Sequence, residues 1–157
     1  MNKWITTEIK FKPCKVYKDR RFLGRKIKDG WELLEPLKYM YKGEILFLPI
    51  GYVWDGSSYP RFIEWLVGRR NKESLLAASA MHDTLTYKIE AIVESGIIYR
   101  TFSIGEAAWM YKQMIAHWPD KEIIKRKRIL QWVGLLMFQR LGRITSPEQR
   151  WRKYCEY

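Results

Sequence analysis

Cysteine and histidine are scarce in this chain of 157 residues, with two of each. Cys14 and Cys155 stand near opposite ends, and one pair of thiols is too few for the disulfide framework of a small secreted domain. We therefore expect both cysteines to be reduced. His82 and His117 are the only imidazoles, so histidine-based catalysis or metal binding is confined to two positions.

Long apolar runs are also lacking. The longest, residues 129–138, is interrupted by Gln131 and falls well short of the ~20 residues that a membrane-spanning helix needs. The first residues do not contain the apolar segment of a signal peptide. We therefore expect no transmembrane segment and synthesis in the cytoplasm.

Acidic side chains are outnumbered, because 17 Asp and Glu stand against 29 Lys and Arg and give a net charge of +12. This excess predicts anionic partners such as nucleic acid, lipid head groups or an acidic protein surface. Residues 120–157 hold 10 basic and 4 acidic side chains, which is half of the net charge. Aromatic residues make up 15% of the chain and hydrophobic residues 47%, which excludes an intrinsically disordered protein.

The order of local patterns predicts a single α+β domain over residues 1–157, with N-terminal antiparallel strands or a ribbon followed by a layer of four to five helices. Residues 1–54 are strand-rich, 55–142 are predicted to be helical, and 143–157 to form a short C-terminal helix or arm. Asp29-Gly30 and Lys42-Gly43 are predicted turns, because glycine supplies the positive φ of a tight turn. The predicted strands are residues 4–10, 15–17, 31–34, 37–41 and 44–48.

Capping residues set the limits of the predicted helices. Ser103, with Glu106 three residues later, has the spacing of a capping box, and the helix that follows must end before Pro119. Further helices are predicted to begin at Ser57 or Ser58 and at Ser146, and to cover residues 71–87 and 120–142.

His82 and Asp83 form the first candidate site. His82 lies on the apolar stripe of the helix predicted over 71–87, so its side chain should point inward. Asp83 is about 100° further around the helix, and an aspartate inside a helix needs a partner. Two interpretations stay open: a buried hydrogen-bond network that joins helix to sheet, or a site with His82 as general base and Asp83 as ligand for a hard cation such as calcium. His117, at a helix C-terminus, is interpreted as structural.

The second candidate site is the loop that contains Asp55, Gly56, Ser57 and Ser58. These residues lead into a predicted helix whose free N–H groups would suit an anion. A turn with a helix cap explains the same residues equally well. Asp55 becomes a candidate catalytic residue and metal ligand only if the fold brings it to His82 and Asp83.

The two motifs together resemble a known family. The run Pro-Ile-Gly-Tyr-Val-Trp-Asp-Gly-Ser-Ser-Tyr-Pro-Arg over 49–61, followed by Ala-Ala-Ser-Ala-Met-His-Asp-Thr-Leu over 77–85, is similar to the phage-associated domain of unknown function 1353. The resemblance covers roughly residues 31–142. It implies a bacteriophage or prophage origin, with synthesis in the host cytoplasm, and it brings no established activity.

Two positions depart from the family pattern that this resemblance implies: the family has Asp where this chain has Ala108, and Tyr where it has Thr86. The helix with His82 and Asp83 is also similar, at motif level, to the active-site helix of secreted phospholipases A2. That likeness implies His82 as the base that activates water and Asp83 as a calcium ligand. The second Asp, which orients the histidine in those enzymes, would fall at Ala108, so the site would be vestigial.

The basic C-terminal quarter is a candidate surface for binding an anion or a partner protein. The run 125–128 lies within the helix predicted over 120–142, and four consecutive bases spread around a helix and repel one another. A solvated face is therefore as good an explanation as phosphate, lipid or subunit contact. The candidate residues are Lys125, Arg126, Lys127, Arg128, Arg150, Trp151 and Arg152.

Three functions follow from these patterns. The first is a phage structural protein that docks with other phage structural proteins in the virion, at the tail or head–tail region, and that needs no cofactor. The second is a hydrolase of phospholipids or other esters, assisted by a divalent cation such as calcium. The third is nucleic-acid binding through the basic helix, which predicts affinity that falls by roughly 10³-fold or more between low and moderate salt for six or more phosphate contacts.

Overall fold

The computed structural model describes residues 1–20, 24–54, 73–119 and 151–154. In these ranges the chain is an α+β protein with two antiparallel sheets and two helices. In chain order the elements are β1 (Lys3–Trp4), β2 (Phe11–Arg20), β3 (Gly24–Leu33), β4 (Leu37–Tyr41), β5 (Glu44–Leu48), β6 (Val53–Trp54), α1 (Glu73–Leu85), β7 (Ile89–Val93), β8 (Gly96–Arg100), α2 (Ile104–His117) and β9 (Trp151–Tyr154).

The first sheet has the strand order β1-β4-β5-β7-β8. Its centre is the β4–β5 hairpin, which has the predicted limits and the predicted turn at Lys42-Gly43. Both turn residues have positive φ, 50° at Lys42 and 86° at Gly43, and this pair of conformations matches the twist of the flanking strands. Alternation along β4 buries Leu37, Tyr39 and Tyr41 on the face that carries the helices.

The second sheet has the order β6-β3-β2-β9. Here the turn predicted at Asp29-Gly30 is wrong, because both residues lie inside β3 and pair with Lys15 and Cys14 of β2. Glycine is needed at this position for another reason. A Cβ on Gly30 would lie 2.8 Å from the backbone oxygen of Trp54 and 2.8 Å from a methyl group of Val16.

The two helices begin and end close to the predicted positions. α1 lies inside the predicted range 71–87, and α2 follows Ser103, whose hydroxyl accepts a hydrogen bond from the Glu106 N–H at 3.2 Å. The Glu106 carboxylate accepts a hydrogen bond from the Tyr41 hydroxyl at 2.9 Å, so this residue of the helix cap also joins α2 to strand β4. The other predicted helices fall on 55–72 and 120–150, outside the described residues, so the predicted four to five helices are reduced to two in the part described here.

Two further assignments need correction. The part predicted to be helical, 55–142, contains the β7–β8 hairpin, which pairs Ile89 with Arg100 and Val93 with Gly96. At the C-terminus, predicted to be a short helix or an arm, Trp151–Tyr154 is a strand that pairs with β2, so the helix alternative is wrong for these residues. Both segments are short, and their strand structure depends on a partner strand that local sequence patterns do not reveal.

The core lies between the first sheet and the two helices. Trp4 in the edge strand β1 closes one end of it. Its indole N–H donates to the Met114 backbone oxygen at 2.7 Å, and its ring meets Trp118 edge-on with centroids 5.0 Å apart. Trp54 of β6 also belongs to the core and is fully buried. Neither helix of the described part is long and apolar enough to cross a membrane.

Candidate functional site

His82 points into the protein, as its place on the apolar stripe of α1 predicts. The residue is 6% exposed. Its ring meets the Tyr111 ring of α2 edge-on, with centroids 5.5 Å apart and an interplanar angle of 74°. The imidazole therefore lies at the contact between the two helices.

Asp83 lies beside His82 at the rim of this contact. Its Oδ1 is 3.5 Å from His82 Nδ1, which is longer than an ordinary hydrogen bond, and its side chain is one-third exposed. Because neighbouring helical residues point about 100° apart, one of the pair is inside and the other reaches solvent. The pair therefore connects a buried imidazole to the protein surface.

Strand β6 and the residue before it are held against the same helix. The Trp54 indole N–H donates to the Ser79 hydroxyl at 3.2 Å, and the hydroxyls of Tyr52 and Thr84 are 2.8 Å apart. Ser79 precedes His82 by three residues and Thr84 follows it by two, so the contacts flank His82 along α1. The fold thus joins the first of the two sequence motifs to the second at this helix.

Asp55 and the loop residues Gly56, Ser57 and Ser58 follow Trp54 in the sequence and lie outside the described residues. The predicted grouping of Asp55 with His82 and Asp83 therefore stays a prediction. Within the described ranges, no three His, Cys, Asp or Glu side chains come together as a metal site would require.

Ala108 occupies the position at which the resemblance implies an aspartate. It is fully buried on α2, one helical turn before Tyr111, and residues three apart share a helix face. Ala108 therefore belongs to the face of α2 that meets His82 through Tyr111.

Three polar contacts between the β4–β5 hairpin and α2 were not anticipated. The Tyr41 hydroxyl donates to Glu106 Oε1, and Lys42 Nζ is 3.7 Å from the same oxygen. Burial raises the pKa of Tyr41, and its hydrogen bond to Glu106 raises it further. His117 Nδ1 is 3.1 Å from the Tyr39 hydroxyl, whose pKa burial raises. In the sequence, the alternation that points the tyrosines of β4 inward could have predicted these contacts.

Most of the candidate residues for binding an anion or a partner protein lie outside the described residues. These are Lys125, Arg126, Lys127, Arg128 and Arg150. Trp151 and Arg152 are in β9, where their backbones pair with Lys18 and Tyr17 of β2. Binding of an anion or a partner protein by this set stays a prediction.

Strand β8 presents an exposed apolar surface that the sequence analysis missed. Among the described strands it is the last in the first sheet, and Ile97 and Tyr99 on it are 64% and 57% exposed. Lys88 Nζ lies 4.2 Å from the centre of the Tyr99 ring. The Arg100 guanidinium is hydrogen-bonded to the Glu44 carboxylate, through Nε at 3.0 Å, and this bond lowers the pKa of Glu44.

Residues 31–135 match the model of a protein family that is described as "Protein of unknown function (DUF1353)". The match spans 105 of the 157 residues and includes both motifs, the helix contact at His82 and strand β8. No significant match was found among curated proteins or among solved structures.

Proposed function

We propose that this chain, which belongs to the DUF1353 family, is a bacteriophage structural protein that docks with other phage structural proteins in the virion, at the tail or head–tail region. The family description assigns no activity. The phage origin rests on the resemblance of the two motifs, and the docking role rests on the surface of the protein.

Strand β8 is the observation that carries the docking role. An edge strand offers a row of backbone N–H and C=O groups to another chain, and monomeric proteins protect such edges with charge, proline, bulges or a covering element. The two outward side chains of β8, Ile97 and Tyr99, are apolar or aromatic and exposed, with Lys88 Nζ over the Tyr99 ring. An edge of this kind is suited to pairing with another protein.

The surroundings of His82 support a structural role for the His-Asp pair. The imidazole packs against Tyr111, and Ala108 supplies no carboxylate on the same face of α2. The pair then joins α1 to α2. That it is a vestige of a site rests on the family resemblance, which implies an aspartate at Ala108.

The composition of purified particles tests this proposal. We expect mass spectrometry of gradient-purified virions to detect the chain at a stoichiometry comparable to that of known minor structural proteins. A phage lysate in which the chain is abundant while the purified particles lack it would contradict the proposal.

A hydrolase is the second candidate, and the contacts of Trp54 with Ser79 and of Tyr52 with Thr84 favour it. These contacts place the residues that precede Asp55 on the helix that carries His82 and Asp83. In this function His82 takes a proton from the water that attacks an ester, while Asp83 and Asp55 are the residues that would hold a divalent cation such as calcium.

Replacing His82 by asparagine tests the hydrolase directly. If the chain is a hydrolase, His82→Asn should reduce ester or phospholipid hydrolysis by at least about 10²-fold, because proton transfer by a positioned side chain contributes that much. His117→Asn is the matched control, since His117 contacts Tyr39 at the far end of α2. Equal hydrolysis by both variants, with wild-type circular dichroism, would exclude the catalytic role.

A further inference from the structure

We propose that β8 pairs with β8 of a second copy of this chain, antiparallel and across a two-fold axis at Ile98. This inference rests on the proposed function, because it names a partner for the surface that carries it. It is drawn from the side chains of β8 and from the charge of the β7–β8 hairpin.

The side chains of β8 fit this register. Alternation along the strand places Ile97 and Tyr99 on the exposed face, while Ile98 packs against the core. In a pair centred on Ile98, Ile97 lies opposite Tyr99 of the second copy, and Ile98 lies opposite its own equivalent. Pairs of β-branched and aromatic residues across two strands are stabilising, and both copies gain the same contacts.

The charge of the hairpin favours a second copy over an acidic partner. Residues 88–100 contain two bases, Lys88 and Arg100, and two acids, Glu90 and Glu94. The segment is therefore neutral within a chain of net charge +12. Two like-charged copies can approach each other here without local repulsion, whereas an acidic partner would be attracted to other parts of the chain.

The interface is small, since β8 has five residues. Stable complexes bury at least about 1,200 Å² in total, so pairing of this edge alone is expected to be weak and dependent on concentration. Neighbouring subunits in an assembly raise the effective concentration, and weak pairing is then sufficient.

Sedimentation equilibrium of the purified full chain tests the inference. We expect a monomer–dimer equilibrium whose dissociation constant rises at least about tenfold in Ile97→Lys, because two edge lysines would then face Tyr99 of the other copy. Ile50→Lys is the matched control, because Ile50 is 65% exposed and lies outside the sheet edge. A monomer at every concentration, or equal dissociation constants for the two variants, would overturn the inference.

These results are separable from a failure of the proposed function. A chain that is monomeric in solution and present in virions would refute self-pairing while leaving the structural role intact. A chain that dimerises through β8 and is absent from virions would refute the structural role alone.

Discussion

Replacing Trp54 by alanine should lower the free energy of unfolding by about 3–5 kcal/mol, the range for large-to-small changes at buried aromatic residues. Trp54 is fully buried, pairs through its backbone with Trp31, stacks on Tyr52 and donates a hydrogen bond to Ser79. The variant therefore loses packing in the core together with the contact that holds β6 to α1. Denaturant unfolding followed by tryptophan fluorescence or circular dichroism measures the change.

Trp109→Ala is the matched control, because Trp109 is 43% exposed on α2. It should change the free energy of unfolding by less than about 1 kcal/mol. Ser79→Ala separates the hydrogen bond from the packing, since it leaves the Trp54 indole N–H unpaired in the core and should destabilise the protein by about 1–3 kcal/mol. Equal stability of Trp54→Ala and Trp109→Ala would show that β6 is not packed on α1 as described.

Replacing Gly30 by alanine should lower the free energy of unfolding by about 1–3 kcal/mol, as overpacking does in a filled core. The direction of this change is informative, because replacing glycine by alanine inside a strand ordinarily raises the free energy of unfolding by roughly 0.5–1 kcal/mol. Here the added Cβ would meet the backbone oxygen of Trp54 and the methyl groups of Val16 within 3 Å. A backbone oxygen that belongs to a paired strand cannot move without disturbing β6.

The same substitution at Gly105, Gly105→Ala, should have the opposite effect on stability. A Cβ at Gly105 in α2 meets nothing within 4 Å, so this variant should be more stable than wild type by up to about 1 kcal/mol. Thermal unfolding of the two variants, measured side by side, compares their stabilities. If Gly30→Ala were as stable as Gly105→Ala, the close packing of β3 against β2 and β6 would be disproved.

Local chemistry made several elements predictable from the sequence. The β4–β5 hairpin has its predicted limits because Lys42-Gly43 favours one turn geometry and the flanking residues alternate. The start of α2 follows from the cap at Ser103, and its end from Pro119. The inward orientation of His82 follows from its apolar stripe. Each of these features is determined within about ten residues of chain.

Contacts between distant residues explain what was missed. In the sequence Gly30 resembles a turn residue, but the glycine is needed because the backbone of Trp54 lies against it. The β7–β8 hairpin is stabilised by pairing with β5. At the candidate site, the bond from Trp54 to Ser79 joins residues 25 apart, and that from Tyr41 to Glu106 joins residues 65 apart. The predicted role of Asp55 lies outside the described residues.

Incorporation of single-site variants into particles is the most direct test of the account, in which the chain docks in a virion through the edge strand β8. A phage that lacks this gene would be complemented with either Ile97→Lys or Ile50→Lys, and the purified particles would be quantified by mass spectrometry. We expect Ile50→Lys to enter particles at the wild-type level, whereas incorporation of Ile97→Lys should fall at least about tenfold. Equal incorporation of both variants at the wild-type level would contradict this expectation.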